Sequence, residues 1–448
     1  MQYDLNKLWN NQSDFKELIL YILSILKKDT HSSEVVIKKT LGISLNTRNY
    51  KVENVEFRND NLICITVYKN FKKGVSFSTD LSIQGIQKTV NAALDIMKHT
   101  SEDYFSGLPD PNLLSFKSVK IKLFYPSNFN ILEAIKRSNL IEKYSRDYDS
   151  KILNIENINF SSYMNSYVLG NSYGMLQGYE TTLHSISNTV ISRASTGMER
   201  AFSYTLSREL CDLKDCKWIA HDASKKSISR LYSRKIKTIK SPVIISSEIT
   251  DDFFSYFVSA ISGINVYRKS TCLLHSLYKK IFPDWLSITE NPHIDKGLFS
   301  KPFDSEGVMT QTRIIVKKGI LNTWLLNNYY AKKNNLVTTG HAGGIYNWFV
   351  SGSSNISFKN LLRKMFSGLI VTEFLGEGVN IVTGNYSIGV FGYWVEKGEI
   401  IFPVHEITIS GNLKDMWKNI LDISNDFEDR TSIHCGSILL SEMQISGI

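Results

Sequence analysis

The chain has 448 residues, with 52 Lys plus Arg against 43 Asp plus Glu, a formal charge of +9. Its length allows two or three domains with their own cores, and 42% hydrophobic with 21% charged residues excludes a disordered chain. The surplus charge is about two per hundred residues, too thin a field to mark a nucleic-acid binder, and it reads as compositional drift toward Lys, Asn and Ile.

Near the start, Met1 is followed by Asp4 with one Lys before Trp9, so the basic opening of a signal peptide is missing. The apolar run Leu18 to Leu26 is nine residues long between Glu17 and Lys27. A bilayer span needs about twenty, so residues 13–28 predict a buried helix and no membrane anchor. Alternation from Tyr50 to Phe57 and from Leu62 to Tyr68 predicts a hairpin turning at Asn59-Asp60-Asn61. A third strand follows Lys72-Lys73-Gly74. Ile83, Ile86, Val90, Leu94 and Met97 then recur at the steps of three and four that define one helical face. This α/β unit is assigned to residues 1–105. Gly107-Leu108-Pro109-Asp110-Pro111 reads as a linker, because its prolines resist helix and its glycine permits a sharp bend.

A middle α+β unit is assigned to residues 120–238. Residues 128–148 predict a helix with Ile131, Leu132, Ile135 and Leu140 on its packed side. Residues 151–207 are rich in β-branched and aromatic side chains and predict strands, with turns marked by Gly170, Gly174 and Gly178. The polar run Asp222 to Lys240 has helical density. The third region, 239–448, opens with a strand over Val243 to Ser246 and an aromatic helix over Asp251 to Ile261. Short strands follow at Arg313 to Val316, Ile320 to Leu326, Leu369 to Glu373, Val390 to Glu396 and Glu399 to Phe402. The fold class is therefore α+β: an N-terminal α/β unit, a middle α+β unit and a large β-rich C-terminal domain with a few helices.

Several chemical motifs fail on context. Gly170-Asn171-Ser172-Tyr173-Gly174 matches a nucleophile elbow, but no helix follows it, so it reads as a β turn. Cys211, Cys216 and His221 stand at C-x4-C-x4-H, without the second tight pair of a structural zinc site. His405-Glu406 has no second imidazole four residues on and sits in an alternating strand. Gly376-Glu377-Gly378 lacks the third glycine of a dinucleotide loop. Cys64, Cys211, Cys216, Cys272 and Cys435 are odd in number and irregular in spacing, as reduced thiols in a cytoplasmic protein would be. Polar density gathers in the third region, in Arg268-Lys269-Ser270, Pro302 to Gly307, Thr339 to Gly344 and Gly376 to Gly378. Glycine-flanked acids and a lone His in loops suit a cleft in which backbone approaches an extended ligand.

These blocks carry a resemblance. Gly107 to Asp110, Gly170 to Tyr179, Tyr267-Arg268-Lys269-Ser270, Pro302 to Gly307, Thr339 to Gly344 and Glu406 to Trp417 resemble the PmbA (TldE) branch of the TldD/PmbA metalloprotease family, from about residue 13 to the C-terminus. The resemblance implies a cytoplasmic metalloprotease system in which this chain pairs with a TldD-like paralogous subunit to cleave unfolded or extended peptides and to mature modified ones. Family zinc belongs to an H-E-x-x-x-H helix in the TldD branch. Carried over by position, that helix falls on Phe254 to Gly263, which has no His and no Glu. The expectation is therefore no metal and no catalytic residue in this chain, zinc in the TldD-like partner, and a peptide cleft lined here by Arg268, Asp304, Glu306 and His341. A homodimer is expected to be possible when the partner is absent. The alternative implied by the family is a non-proteolytic adaptor or a binding protein that modulates DNA gyrase.

Overall fold

The computed structural model describes residues 12–117, 119–127, 130–352 and 355–447; residues 1–11, on which the signal-peptide reading rests, lie outside them. Helix α1 (Gln12–Leu26) buries Phe15, Ile19, Ile22 and Leu26, one face at steps of three and four. Strand β1 (Ser32–Arg48) follows, then β2 (Lys51–Lys69) and β3 (Lys72–Ser78). The chain reverses at Asn49-Tyr50 and again at Asn70-Phe71, each a pair of residues with positive φ. Two successive left-handed residues give a turn whose twist suits paired strands. The hairpin expected at Asn59-Asp60-Asn61 is corrected accordingly. Those three residues pair with Leu41, Thr40 and Lys39 inside one unbroken strand. Strand β1 itself was not legible as a strand, because Val36 interrupts the alternation of Val35, Ile37, Leu41, Ile43 and Leu45.

Helix α2 (Ile83–His99) begins at Ser82, whose Oγ accepts a hydrogen bond from the Gly85 amide at 3.1 Å. Helix α3 (Ile131–Arg146) buries Ala134, Ser138, Ile141 and Ser145, while Leu132 and Leu140 of the expected face are exposed; residues 128 and 129 of that expectation lie outside the described ones. Strands β4 (Ile152–Asn171), β5 (Leu176–Ala194) and β6 (Gly197–Ser207) lead to α4 (Cys216–Ser229). The helix expected over Asp222 to Lys240 starts earlier, where Asp215 accepts the Trp218 amide at 2.7 Å, and ends at Ser229.

The six strands form one antiparallel sheet in the order β3-β2-β1-β4-β5-β6. Strand β1 pairs with β4 from Glu34↔Asn171 to Thr47↔Ile158, so the N-terminal and middle units share a single sheet. Its inward row is covered in two places. Val35 and Ile37 lie with α1 and α2, and Leu41, Ile43 and Leu45 lie with α3 and α4. On the opposite face Val36 and Leu169 pack with Leu114, which follows the linker, and with Phe303 of the C-terminal domain.

That domain contains β7 (Ile239–Ile245), α5 (Thr250–Ala260), α6 (Gly263–Tyr267), β8 (Ser287–Asn291), β9 (Arg313–Lys317), β10 (Ile320–Leu321), α7 (Asn328–Lys333) and β11 (Asn347–Ser351). It continues with α8 (Phe358–Met365), β12 (Gly368–Leu375), β13 (Asn385–Glu396), β14 (Glu399–Asn412), α9 (Leu413–Lys418), β15 (Ile420–Ile423), β16 (Ile433–His434) and β17 (Ile438–Ser446). One sheet runs β10-β9-β8-β11-β16. In the other, β14-β13-β12-β7-β17-β15, a further pairing of β14 with β17 closes five strands into a ring. The expected strand Ile320 to Leu326 ends at Leu321. Helix α5 lies in the core of this domain: the Phe257 ring meets Phe282 at 5.1 Å, Trp417 at 5.6 Å and Trp348 at 6.0 Å.

Phe257→Ala is expected to cost about 3–5 kcal/mol of folding free energy, read from urea unfolding. Phe77→Ala, at a ring that is 74% exposed, should stay within about 0.5 kcal/mol.

Candidate functional site

Between the N-terminal strands and the C-terminal domain lies a cleft of about 920 Å³, lined by Tyr68 and Lys73 on one wall, Asp103 and Phe105 on the linking loop, and Glu306 and Tyr329 on the other wall. Glu34 on β1 faces the same side as Val36, toward the loop that carries Asp304 and Glu306. Burial, reinforced by Glu306, pushes the Glu34 carboxyl up to about 8 even with Lys73 opposing it. Burial and Glu306 likewise push Asp304 up to about 7, and burial raises Glu306. Behind Glu306, which lines the cleft, stand two carboxyls, Glu34 and Asp304, raised toward neutral pH.

The sequence-predicted residues separate here. Asp304 Oδ1 accepts the amides of Glu306 and Val308, each at 2.9 Å, and Oδ2 accepts the Ala342 amide at 3.0 Å. It therefore ties the loop of residues 302–308 to the loop of residues 339–344. Glu306 lines the cleft and accepts the Asn328 amide at the start of α7, at 2.8 Å. His341 is buried on the adjacent loop. Its Nε2 lies 2.9 Å from Glu290 Oε2 and its Nδ1 2.8 Å from Thr339 Oγ1. Glu290 Oε1 also accepts from the Trp348 indole at 2.8 Å and the Tyr346 amide at 3.1 Å. Arg268 lies exposed at the end of α6, outside the lining of the cleft. Thus Asp304, Glu306 and His341 come together through two bonded loops, and Glu306 alone of the four opens into the cleft.

Glu34, Lys73 and Lys333 were not singled out by sequence. Lys333 sits over the rings of Phe105 at 4.2 Å, Tyr329 at 5.3 Å and Tyr267 at 5.6 Å, beside Asp103 at 3.6 Å. Glu34 did carry a signal, a carboxylate inside a buried strand, but only with β1 recognised.

Ser172 belongs to the β4–β5 turn. Its Oγ accepts the Ser33 amide at 3.0 Å, and Asn171 Oδ1 accepts the Tyr173 amide at 3.0 Å. His405-Glu406 forms a bulge in β14, with Glu406 at φ 52°. Cys211, Cys216 and His221 do not converge: Cys216 packs toward the core beneath α3 and α4, and His221 meets the Tyr148 ring at 5.0 Å. Among the described residues one group of three ligand-bearing side chains is close enough to hold an ion, Glu209, Cys211 and Asp212, and the Lys296 ammonium bridges its two carboxylates.

Helix α5 turns Phe253, Phe254 and Phe257 inward and leaves Asp251, Asp252, Ser255 and Tyr256 at least partly open. It offers zinc no imidazole and no thiolate. Burial, with Asp252 adding, pushes the Asp251 carboxyl up to about 6. The groove of about 370 Å³ in front of α5 is lined by the cations Lys226, Arg230 and Arg430 and by the carboxylates Glu248, Asp251, Asp252 and Glu373. These cations already pair with Glu248 at 2.6 Å, Glu373 at 2.6 Å and Glu428. Zinc does not fit the donor set of this helix.

Comparison with known proteins gives a consistent result. Models of the PmbA/TldA metallopeptidase family match in all three parts: domain 1 over residues 33–96, the central domain over 124–231 and the C-terminal domain over 238–447. The chain is 50% identical over 443 residues to a protein named Metalloprotease PmbA homolog from Buchnera aphidicola subsp. Acyrthosiphon pisum, covering 99% of each. It is 48% identical over 432 residues to Metalloprotease PmbA of Escherichia coli O157:H7, covering 96% of each. Its fold matches TldE from Thermococcus kodakarensis with a TM-score of 0.85, at 18% identity over 96% of this chain and 100% of that one. A Bacteroides thetaiotaomicron structure matches at 0.92, with 22% identity over 97% and 99%.

His341→Ala strands a Glu290 oxygen in the core and should cost about 1–3 kcal/mol, measured by urea unfolding. Glu34 and Asp304 bind protons more tightly folded than unfolded, where carboxyls titrate at about 4. Their contribution to stability is therefore fully present at low pH and is lost as pH rises from about 4 to about 8. The stability of Glu34→Gln relative to the parent chain should accordingly increase as pH is raised from about 5 to about 8, in urea titrations at each pH.

Proposed function

The chain belongs to the PmbA/TldD metallopeptidase family, and we propose that it is the subunit that carries no zinc of its own, acting with a TldD-like, zinc-bearing paralogue to hydrolyse unfolded or extended peptides. The observation that supports this reading is α5. Over Phe254 to Gly263, where the resemblance puts the metal helix, there is no His, Cys, Asp or Glu, and Ser255, Tyr256, Val258 and Ser259 are the side chains of α5 left at least partly open. Zinc held by the partner would supply the Lewis acid and the activated water of a metallopeptidase. The role of this chain is to hold the substrate. Its strand edges offer main-chain hydrogen bonds that are indifferent to side-chain identity, which suits extended peptides of varied sequence. Glu306 and Lys73 in the cleft between domains offer charge of both signs for a polar segment.

No helix of the described residues is long and apolar enough to cross a membrane, and all five cysteines are free thiols. Both facts accord with a reducing, cytoplasmic setting.

The test is purification of the chain alone, of its TldD-like paralogue and of the mixture, with zinc content and hydrolysis of an unstructured peptide measured in each. Zinc and cleavage are expected in the mixture and neither in the isolated chain. Stoichiometric zinc with cleavage by the isolated chain would overturn the assignment.

A further inference from the structure

Strand β3 is an outer strand of the six-stranded sheet, and it runs along the cleft of about 920 Å³, where Lys73 and Val75 are part of the lining. The alternation of an antiparallel pair decides where its main chain points. The Tyr68 carbonyl accepts the His31 amide at 2.9 Å and so turns toward β1, which leaves Tyr68↔Lys73 a pair without hydrogen bonds between its members. The main-chain groups of Lys73, Val75 and Phe77 therefore point away from β2, toward the open edge. Among the described residues none of these amides and carbonyls has a main-chain partner there. The edge from Lys73 to Phe77 is about 13 Å long at the rise of an extended chain. Its shortness and its two lysines, Lys72 and Lys73, discourage pairing with a long strand. A short segment of peptide is a different matter, because three residues with free main-chain groups are enough to dock one.

We infer that this edge of β3 binds an extended peptide as an added antiparallel strand, and that the cleft selects a basic side chain in it, a Lys or Arg turned toward Glu306. The inference rests on the functional reading above and names the strand and the class of peptide. Register gives the direction of the side chains. Val75 lies opposite Thr66 and Thr66 opposite Glu34, so Val75 and Lys73 share the face on which Glu34 looks toward the loop of residues 302–308. A peptide residue bonded opposite Val75 puts its side chain on that same face, and its two neighbours fall on the other, the side of Ile96, which is 46% exposed. Charge gives the preference. Of the carboxylates lining the cleft, Asp103 is matched by Lys333 at 3.6 Å, while Glu102 and Glu306 have no ion pair among the described residues and Lys73 is the remaining lysine of the lining. Glu306 Oε2 accepts the Asn328 amide, which leaves Oε1 for a ligand. The same wall already holds one ammonium, that of Lys333 over the rings of Phe105 and Tyr329, so the surroundings suit a cation. A basic residue between two apolar ones matches both faces of the added strand.

The test measures fluorescence anisotropy of a labelled heptapeptide, a lysine between two valines with alanine and threonine outside them, titrated with the full chain in the absence of zinc and paralogue. Saturable binding is expected, and glutamate in place of the lysine should weaken it by at least about tenfold. Methylation of the lysine's own backbone amide, which bonds to β3 in this register, should weaken binding by a similar factor, and methylation of the valine amides, which point away, should not. Val75→Pro removes an edge amide that the sheet itself does not use and should weaken both peptides alike, with urea unfolding to check that the variant is folded. Glu306→Gln should narrow the preference for lysine over glutamate and leave the effect of methylation in place. Absence of binding, glutamate bound as tightly as lysine, or sensitivity to methylation at the valines in place of the lysine would each overturn the inference. A mixture with the paralogue that cleaves peptides while the isolated chain binds none sinks this inference alone. Binding as described with zinc and cleavage in the isolated chain sinks the functional assignment alone.

Discussion

The ladder between β1 and β4 is the interaction on which the rest of the molecule depends. It joins strands more than a hundred residues apart, from Glu34↔Asn171 to Thr47↔Ile158, and makes one sheet of what would otherwise be two marginal ones. Its inward row supports both helical layers, and its outward row presents Glu34, Val36 and Leu169 to the C-terminal domain. A slip of one residue in this pairing would exchange the two rows, burying Lys38 and Thr40 under the helices. Register here therefore fixes the core, the domain contact and the position of Glu34 behind the cleft together.

The fold was legible in the sequence where period dominates. The steps Ile86, Val90 and Met97 gave α2, and the β-branched and aromatic content of residues 151–207 gave strands β4 to β6. It was illegible where a residue serves two layers at once. Val36 packs toward the C-terminal domain while its neighbours face α1 and α2, so β1 reads as neither period. Turn chemistry misled as well. Asn59-Asp60-Asn61 has turn composition but lies in a strand, while Tyr50 and Phe71 adopt the left-handed backbone that composition assigns to Gly or Asn. Asp304, Glu306 and His341 could be singled out from their loops. That Glu34 and Lys73 join Glu306 could not, because the convergence is made by domain docking and leaves no local pattern.

Helix α5, where the resemblance would place the metal helix of the family, is a packing helix. Phe253, Phe254 and Phe257 occupy the inner face, and the outer face carries short polar groups that need no ion. Three cations paired to carboxylates line the adjoining groove together with Asp251 and Asp252. The helix carries the aromatic core of the C-terminal domain.

The Lys333 cage has a kinetic meaning. Phe105 and Asp103 on the loop after α2 clasp a lysine of α7, and Tyr329 OH donates to Asp103 at 2.6 Å while Asn328 Nδ2 donates to the Gly107 carbonyl at 2.8 Å. The segment leaving the first helical layer is thus held by a helix more than two hundred residues downstream. Neither can open without exposing the charge of Lys333 and the rings stacked on it. Two pieces of chain remote in sequence are therefore expected to open as one unit, with amide protons in both exchanging with solvent through a shared event.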